Sequence, residues 1–285
     1  MQSVAIVSKP QRAELGRVLP ELCAWLTERG FHPILDRISA EYCPGLSGVS
    51  REDLASFHPV LALVLGGDGT LLSAARAFAR CDVPLLSVNL GALGFLSEVR
   101  LSELCATLAC WIAGQCVVES RAMLHVEVIR DGAIHREFEA LNDVVISKGS
   151  IARMGEFSVY LFDQLAASFR ADGLIVSTPT GSTAYNLSAN GPILAPDIDA
   201  LVITPICPHL LTIRPIVVRG DAQVTARVEG VPDQTLLTVD GQEALEVKLG
   251  DEVRCRRSQH SIQLLRQGPP RFFDVLRAKL KWGER

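Results

Sequence analysis

The chain has 285 residues, of which 48% are hydrophobic and 21% charged, and its formal net charge is −4. That composition is globular, with room for two ordinary domains, and excludes an extended disordered chain. The acidic balance argues against a broad nucleic-acid surface, and the basic runs Arg254 to Arg257 and Arg277 to Lys281 read as solvated faces.

The first third alternates short apolar runs with amphipathic stretches. Val4 to Ser8 predicts a strand, and Arg12 to Arg29 a helix with Leu15, Leu19, Leu22 and Leu26 on one face. Pro33 to Asp36 predicts a second strand. Val60 to Leu65 lacks alternation, as a strand covered on both faces of a parallel sheet would. A helix is expected from about Thr70, then a strand at Pro84 to Asn89 and a helix around Leu101 to Ala113. This rhythm predicts an open, doubly wound, mostly parallel sheet.

From Arg121 the period changes to two. Leu124, Val126 and Val128 alternate with polar neighbours, and Asp131-Gly132 signals a hairpin. Further strands are expected at Val144 to Ser147, Ser158 to Phe162, Leu174 to Ser177, Ile216 to Val218, Gln223 to Val228 and Leu236 to Asp240. Pro269-Pro270 ends the last strand, and Phe272 to Trp282 predicts a terminal helix. The expected organisation is an α/β domain over residues 1–118, a β-rich domain over 119–268, and a C-terminal helix in 269–285.

No apolar run approaches the roughly 20 residues of a spanning helix, and Lys9-Pro10 interrupts the N-terminal run before it can serve as a secretory core. A soluble cytoplasmic protein without a membrane partner is expected. Eight cysteines are scattered with no Cys-x-x-Cys pair and no His-rich tract near them. They read as buried free thiols in a reducing compartment, and their spacing argues against a zinc site.

Three segments could carry chemistry. Gly66-Gly67-Asp68-Gly69-Thr70 stands where a buried strand ends and a helix begins, the edge of an open α/β sheet where ligands bind. Its glycines let a phosphate approach the main chain, the helix start attracts phosphate oxygens, and Asp68 projects into the same space. It matches neither the Walker pattern nor Gly-x-Gly-x-x-Gly, and the structural alternative is a tight turn with Asp68 as a helix cap. Thr178-Pro179-Thr180-Gly181-Ser182-Thr183-Ala184-Tyr185 is a donor-rich turn after a strand, suited to ribose, adenine or phosphate edges, or to an ordinary capped turn. Asn142-Asp143, Asp172-Gly173 and Asp240-Gly241 sit at strand boundaries. There Asn can pair with an adenine edge and a carboxylate with a ribose diol, although each also makes a plain turn.

Those segments, together with Asn190-Gly191-Pro192-Ile193-Leu194 and Thr204-Pro205-Ile206-Cys207-Pro208-His209, occur in the order found in bacterial ATP- or polyphosphate-dependent NAD kinases, which the chain resembles over nearly its whole length. Phe272 to Leu276 through Lys281-Trp282-Gly283 is similar to that family's C-terminal helix. Gly-Gly-Asp-Gly alone is shared with diacylglycerol-type lipid kinases and 6-phosphofructokinases; its combination with Thr178 to Tyr185 is specific. One departure is Asp143, where the family usually has Glu, so this carboxylate reaches about one methylene less far.

The resemblance implies an α/β N-terminal domain with a β-rich C-terminal domain, the NAD kinase and diacylglycerol kinase-like architecture, with the terminal helix returning to the first domain. It implies phosphorylation of the 2′-hydroxyl of the adenosine ribose of NAD, with ATP as donor and a divalent cation, Mg2+ by preference. A homodimer or homotetramer is expected. Asp68 faces the acceptor hydroxyl as candidate general base, and Gly66, Gly67, Gly69 and Thr70 complete the phosphate loop. Phe95, Asn142, Asp143 and Asp172 are implied to contact NAD, as are Thr180, Thr183, Ala184, Tyr185, Asn186, Leu187 and Ser188. Arg153, Arg170 and Gln242 match pocket-lining positions. Because the transition state of phosphoryl transfer is loose, early proton removal contributes little. Asp68 is therefore expected chiefly to orient the hydroxyl and to be a candidate cation ligand. His209, between Pro208 and a Leu-Leu pair, is expected to be a hydrogen-bonded structural residue. A lipid kinase and a catalytically silent nucleotide sensor are the rival readings.

Overall fold

The structure is a computed structural model and describes residues 1–91, 94–149, 154–230, 235–268 and 271–282. In chain order its regular elements begin with β1 (Gln2–Ser8), α1 (Leu15–Glu28), β2 (Phe31–Asp36), α2 (Arg37–Ala40) and β3 (Gly48–Val49). Next come β4 (Leu61–Leu65), α3 (Asp68–Phe78), β5 (Pro84–Asn89), β6 (Val99–Arg100) and α4 (Leu104–Ile112). The strand-rich part holds β7 (Val117–Arg130), β8 (Ala133–Ala140), β9 (Asp143–Lys148), β10 (Gly155–Leu161), β11 (Gln164–Ala171) and β12 (Gly173–Ser177). After α5 (Tyr185–Ser188) follow β13 (Ala200–Ile206), β14 (Ile216–Arg219), β15 (Val224–Gly230), β16 (Thr235–Val239), β17 (Glu243–Val247), β18 (Glu252–Arg266) and α6 (Phe272–Leu280). The chain forms two compact units, residues 1–120 with 262–285, and residues 121–261. Among the described residues no helix is long and apolar enough to cross a membrane.

In the first unit β3, β2, β1, β4 and β5 lie side by side and pair in parallel. β6 and the end of β18, at Gln263 and Leu264, are parallel to β5 as well. Every residue of β4 is fully buried, the burial its unbroken apolar run predicts. α1 turns Leu15, Leu19, Leu22 and Leu26 into the core. α3 starts at Asp68, two residues before the expected Thr70, because Gly67 takes the extended N-cap conformation and Asp68 is already helical.

The second unit is antiparallel. One sheet places β11, β10, β15 and β18 in order, with the β7–β8 hairpin joined to β18; the other runs β14-β13-β12-β9-β16-β17. Their inner faces share one core, in which Val144, Ile146, Leu174 and Val176 meet Phe157, Val159, Val224 and Ala226. Asp131 and Gly132 both have positive φ, as the hairpin signal requires. β11, β13 and β17 are absent from the sequence expectation. The turn into β11 takes positive φ at Phe162 and Asp163 without a glycine to announce it, and Pro205 lies inside β13, where a proline argues against a strand. The eight cysteines are free, but only Cys23, Cys43 and Cys255 are buried; Cys105 and Cys207 are exposed, contrary to the uniform burial expected of them.

Candidate active site

β4 and β5 are parallel neighbours, so the segments leaving their carboxyl ends emerge at the same sheet edge. The first carries Asp68 and the second folds back over it. Phe95 N–H donates to Asp68 Oδ2 at 2.8 Å, while Leu96 N–H (3.2 Å), Ser97 N–H (3.1 Å) and the Ser97 hydroxyl (2.7 Å) donate to Oδ1. Asn89 Nδ2 in turn donates to Ser97 Oγ at 3.2 Å. A Cβ on Gly94 would lie 2.0 Å from Asp68 Oδ1, so only glycine lets the loop close this tightly.

A carboxylate has about four lone-pair directions, two on each oxygen. The three donors crowd Oδ1, whereas Oδ2 takes one and keeps an acceptor direction. Asp68 is therefore neither a helix cap nor a side chain free to swing. It is a clamped acceptor with one oxygen available, half-buried beside the exposed Gly69. The sequence reading missed Asn89, Gly94 and Ser97; the close pair of glycines after β5 was the available signal. Lys279 of α6 places its ammonium 5.8 Å from the centre of the Phe95 ring, a cation held at the same loop.

In the second unit Asp240 organises the other constellation. Its carboxylate accepts the N–H of Leu141 (3.1 Å), Asn142 (2.8 Å) and Asp143 (3.2 Å), fixing the start of β9. Asp143 is buried, and that burial, followed by the charge of Asp240, pushes its carboxyl up to about 7. Asn142 Oδ1 is buried with no hydrogen-bond partner. A buried amide oxygen without a donor costs about 1–3 kcal/mol, a cost that an N–H or O–H donor on a ligand would remove.

The segment after β12 locks onto the same residues. The Thr178 hydroxyl donates to Leu141 O at 2.6 Å, and Gly181 packs so closely that a Cβ would stand 2.1 Å from Asn142 O. Ser182 accepts from Leu194 N–H. Asn186 is held by bonds within the fold. Its side chain is fully buried, donates to Ser182 O and Pro192 O and accepts from the Thr204 hydroxyl, so every amide bond is internal. Its amide ties α5 to β13 and to the segment at Pro192. Thr180 is buried, Thr183, Ala184 and Leu187 are half-buried, and Tyr185 and Ser188 are exposed.

Three further candidates stand in the second unit. Arg170 pairs with Glu156 at 2.8 Å, Asp172 with Lys148 Nζ at 2.6 Å, and Gln242 is exposed after the Asp240-Gly241 turn. His209 is exposed rather than internally bonded through its ring: its backbone N–H donates to Arg170 O at 2.9 Å, and the residue lines a cleft of about 360 Å³ with Glu156 and Arg170. Arg153 lies outside the described residues. The basic runs are surface pairs, as in Arg257 with Asp199 and Arg254 with Glu252.

Residues 4–116 match the ATP-NAD kinase N-terminal domain family and residues 141–267 the ATP-NAD kinase C-terminal domain family. The chain is 59% identical over 285 residues to the NAD kinase of Acidobacterium capsulatum, and 48% identical to that of Koribacter versatilis, with 100% of each chain covered. Among solved structures it shares its fold with yeast NADH kinase complexed with NADH, at a TM-score of 0.91 and 24% identity over 100% of this chain and 89% of that one. An NAD kinase from Archaeoglobus fulgidus in complex with ATP gives 0.76 at 21% identity, over 98% and 99%.

Proposed function

The chain belongs to the NAD kinase family, and we propose that it transfers the terminal phosphoryl group of ATP to the 2′-hydroxyl of the adenosine ribose of NAD. The observation that carries the assignment of the acceptor site is the Asp68 clamp. With Oδ1 crowded by donors and Oδ2 holding one free direction, Asp68 accepts a hydrogen bond from one hydroxyl and aims that oxygen at the donor phosphorus. A loose transition state needs this positioning more than it needs early deprotonation. The new O–P bond forms as the bond to the departing ADP oxygen breaks, and the hydroxyl proton leaves late, through Asp68 Oδ2 to water.

In this reading the segment Gly66 to Thr70 and the start of α3 receive phosphate oxygens through backbone N–H groups. Asn142 reads the adenine edge and Asp143 a ribose hydroxyl. Tyr185, exposed, offers a ring face, and Thr180, Thr183, Ala184, Leu187 and Ser188 shape its surroundings. Arg170, Asp172 and Gln242 contribute to the dinucleotide through the more exposed surface they occupy. Mg2+ keeps several waters and binds chiefly through substrate phosphates; the one free direction of Asp68 Oδ2 can serve either the hydroxyl or the cation, and in this reading it serves the hydroxyl. The bound cation would neutralise phosphate charge.

A cytoplasmic homodimer or homotetramer belongs to the same proposal. It is supported by β14, an edge strand that exposes Ile216 and Val217, and sedimentation velocity tests it. The activity is tested with NAD, ATP and Mg2+, the product being read by an NADP-specific dehydrogenase. NADP from the wild type and its loss in Asp68→Asn are expected. Phosphate appearing in diacylglycerol instead, or tight NAD binding with no product from ATP or polyphosphate, would replace this reading with the lipid-kinase or the sensor alternative.

A further inference from the structure

The outer face of the β7–β8 hairpin carries side chains that phosphoryl transfer does not use. His125 and Glu127 alternate along β7 and stand opposite Glu139 and Glu137 of β8 in the antiparallel register. The period of two puts all four on one face, while Leu124, Val126, Val128, Phe138 and Ala140 turn into the core from the other. Four ionisable groups on one patch of a hairpin are not a requirement of the fold.

Their geometry is ordered. His125 is 9% exposed, and its Nδ1 lies 2.8 Å from Glu139 Oε1. The Glu139 side chain is 10% exposed, and its second oxygen is buried with no hydrogen-bond partner. On the other side of the ring, Nε2 faces Glu127 Oε1 at 3.2 Å and Glu137 Oε1 at 3.8 Å. The ligand atoms of His125, Glu127 and Glu137 lie within 4.8 Å of one another. Arg256 of β18 reaches Glu127 Oε1 at 3.4 Å, so three carboxylates meet one guanidinium and one imidazole.

A tetrahedral ion with nitrogen and oxygen ligands at about 2.0–2.1 Å sets those ligands about 3.3 Å apart. The 3.2 Å edge matches that spacing, and a rotation of the half-exposed Glu137 closes the 3.8 Å edge. Glu139 supplies what a ligating histidine needs behind it: a carboxylate that accepts Nδ1–H fixes the tautomer and aims the Nε2 lone pair at the ion. We propose that His125, Glu127 and Glu137 bind a borderline divalent ion of the zinc type, with water as fourth ligand and Glu139 as the orienting partner. The imidazole selects such an ion over Mg2+, which prefers oxygen ligands. Cysteine spacing could not reveal this site, because strand pairing assembles it from a histidine and glutamates.

The test is equilibrium dialysis of the metal-free full chain against Zn2+, with bound metal counted by mass spectrometry, for wild type, His125→Gln, Glu137→Gln and Glu139→Gln. One zinc per chain is expected in the wild type. At least tenfold weaker binding is expected in Glu137→Gln, whose half-exposed side chain tolerates exchange, and roughly 10- to 100-fold weaker binding in Glu139→Gln. Co2+ substitution is expected to give visible bands of a nitrogen–oxygen site without thiolate charge transfer. No zinc uptake, affinity unchanged in Glu137→Gln and His125→Gln, or thiolate bands that put the ion on cysteines would each overturn the proposal. NADP formation with Mg2+ is expected unchanged in Glu137→Gln, so the fate of this site is read separately from that of the kinase assignment.

Discussion

Asp143 makes the stability of the fold depend on pH. In the folded chain burial and the Asp240 charge push its carboxyl from the ordinary 3.8 up to about 7. The direction follows from linkage. Below pH 3.8 the group is protonated in both states. As pH rises from about 4 to 7 the unfolded chain ionises while the folded one holds its proton, so stability is lost across that window and levels off above it. The gap of about three pH units, at 1.36 kcal/mol each, makes the loss about 4 kcal/mol in neutral solution. Asp143→Asn removes the titration while keeping nearly the same shape. We expect its stability relative to wild type, from denaturant unfolding followed by circular dichroism, to improve by about 3 kcal/mol more at pH 8 than at pH 4.5. Any fixed cost of the amide cancels in that difference. An equal effect of the substitution at both pH values would refute the burial argument.

Other substitutions probe the remaining contacts. Asp68→Asn sets an amide donor among N–H donors, and turnover is expected to fall about 100-fold or more while the circular dichroism spectrum is retained. Gly94→Ala drives a methyl to 2.0 Å from Asp68 Oδ1. Its loss of kcat is expected to be non-additive with that of Asp68→Asn, because both act through one carboxylate. Asn142→Ala removes the unpartnered oxygen, and the KM for NAD is expected to rise on the order of 10-fold with kcat changed less, as steady-state kinetics will report. Arg51→Met strands Asp36, which is 2% exposed and accepts from Arg51 NH2 at 2.6 Å. A loss of about 3 kcal/mol is expected in denaturant unfolding.

Much of the parallel unit was legible because its signals are local. The leucines of α1 recur at the helical period, and the unbroken apolar run of β4 ends in three glycines and an aspartate. The antiparallel unit was legible in fewer of its strands. β11 follows a turn without glycine and lies mostly exposed, and β13 hides behind Pro205. Neither signal is weak by accident. Strand pairing is decided by partners far along the chain, and burial by whatever covers the strand.

The site shows the same division. Residue types such as Asp68, Asn142 and Asp143 can be picked out of a sequence as candidates, because their segments stand at strand ends in an order that a known family shares. The residues that hold them cannot, since their contribution depends on geometry. Gly94 is indispensable only because β4 and β5 are neighbours, and Asp240 matters only because β16 pairs with β9 and brings it against three backbone amides. Asn186 is the converse case: a polar residue in a ligand-like motif whose side chain serves the loop itself. Motif membership therefore cannot separate a side chain that touches substrate from one that shapes the turn, whereas counting its satisfied donors and acceptors can. By that count Asp68 and Asn142 each keep an acceptor direction, whereas the amide of Asn186 finds a partner for both its hydrogens and for its oxygen within the fold.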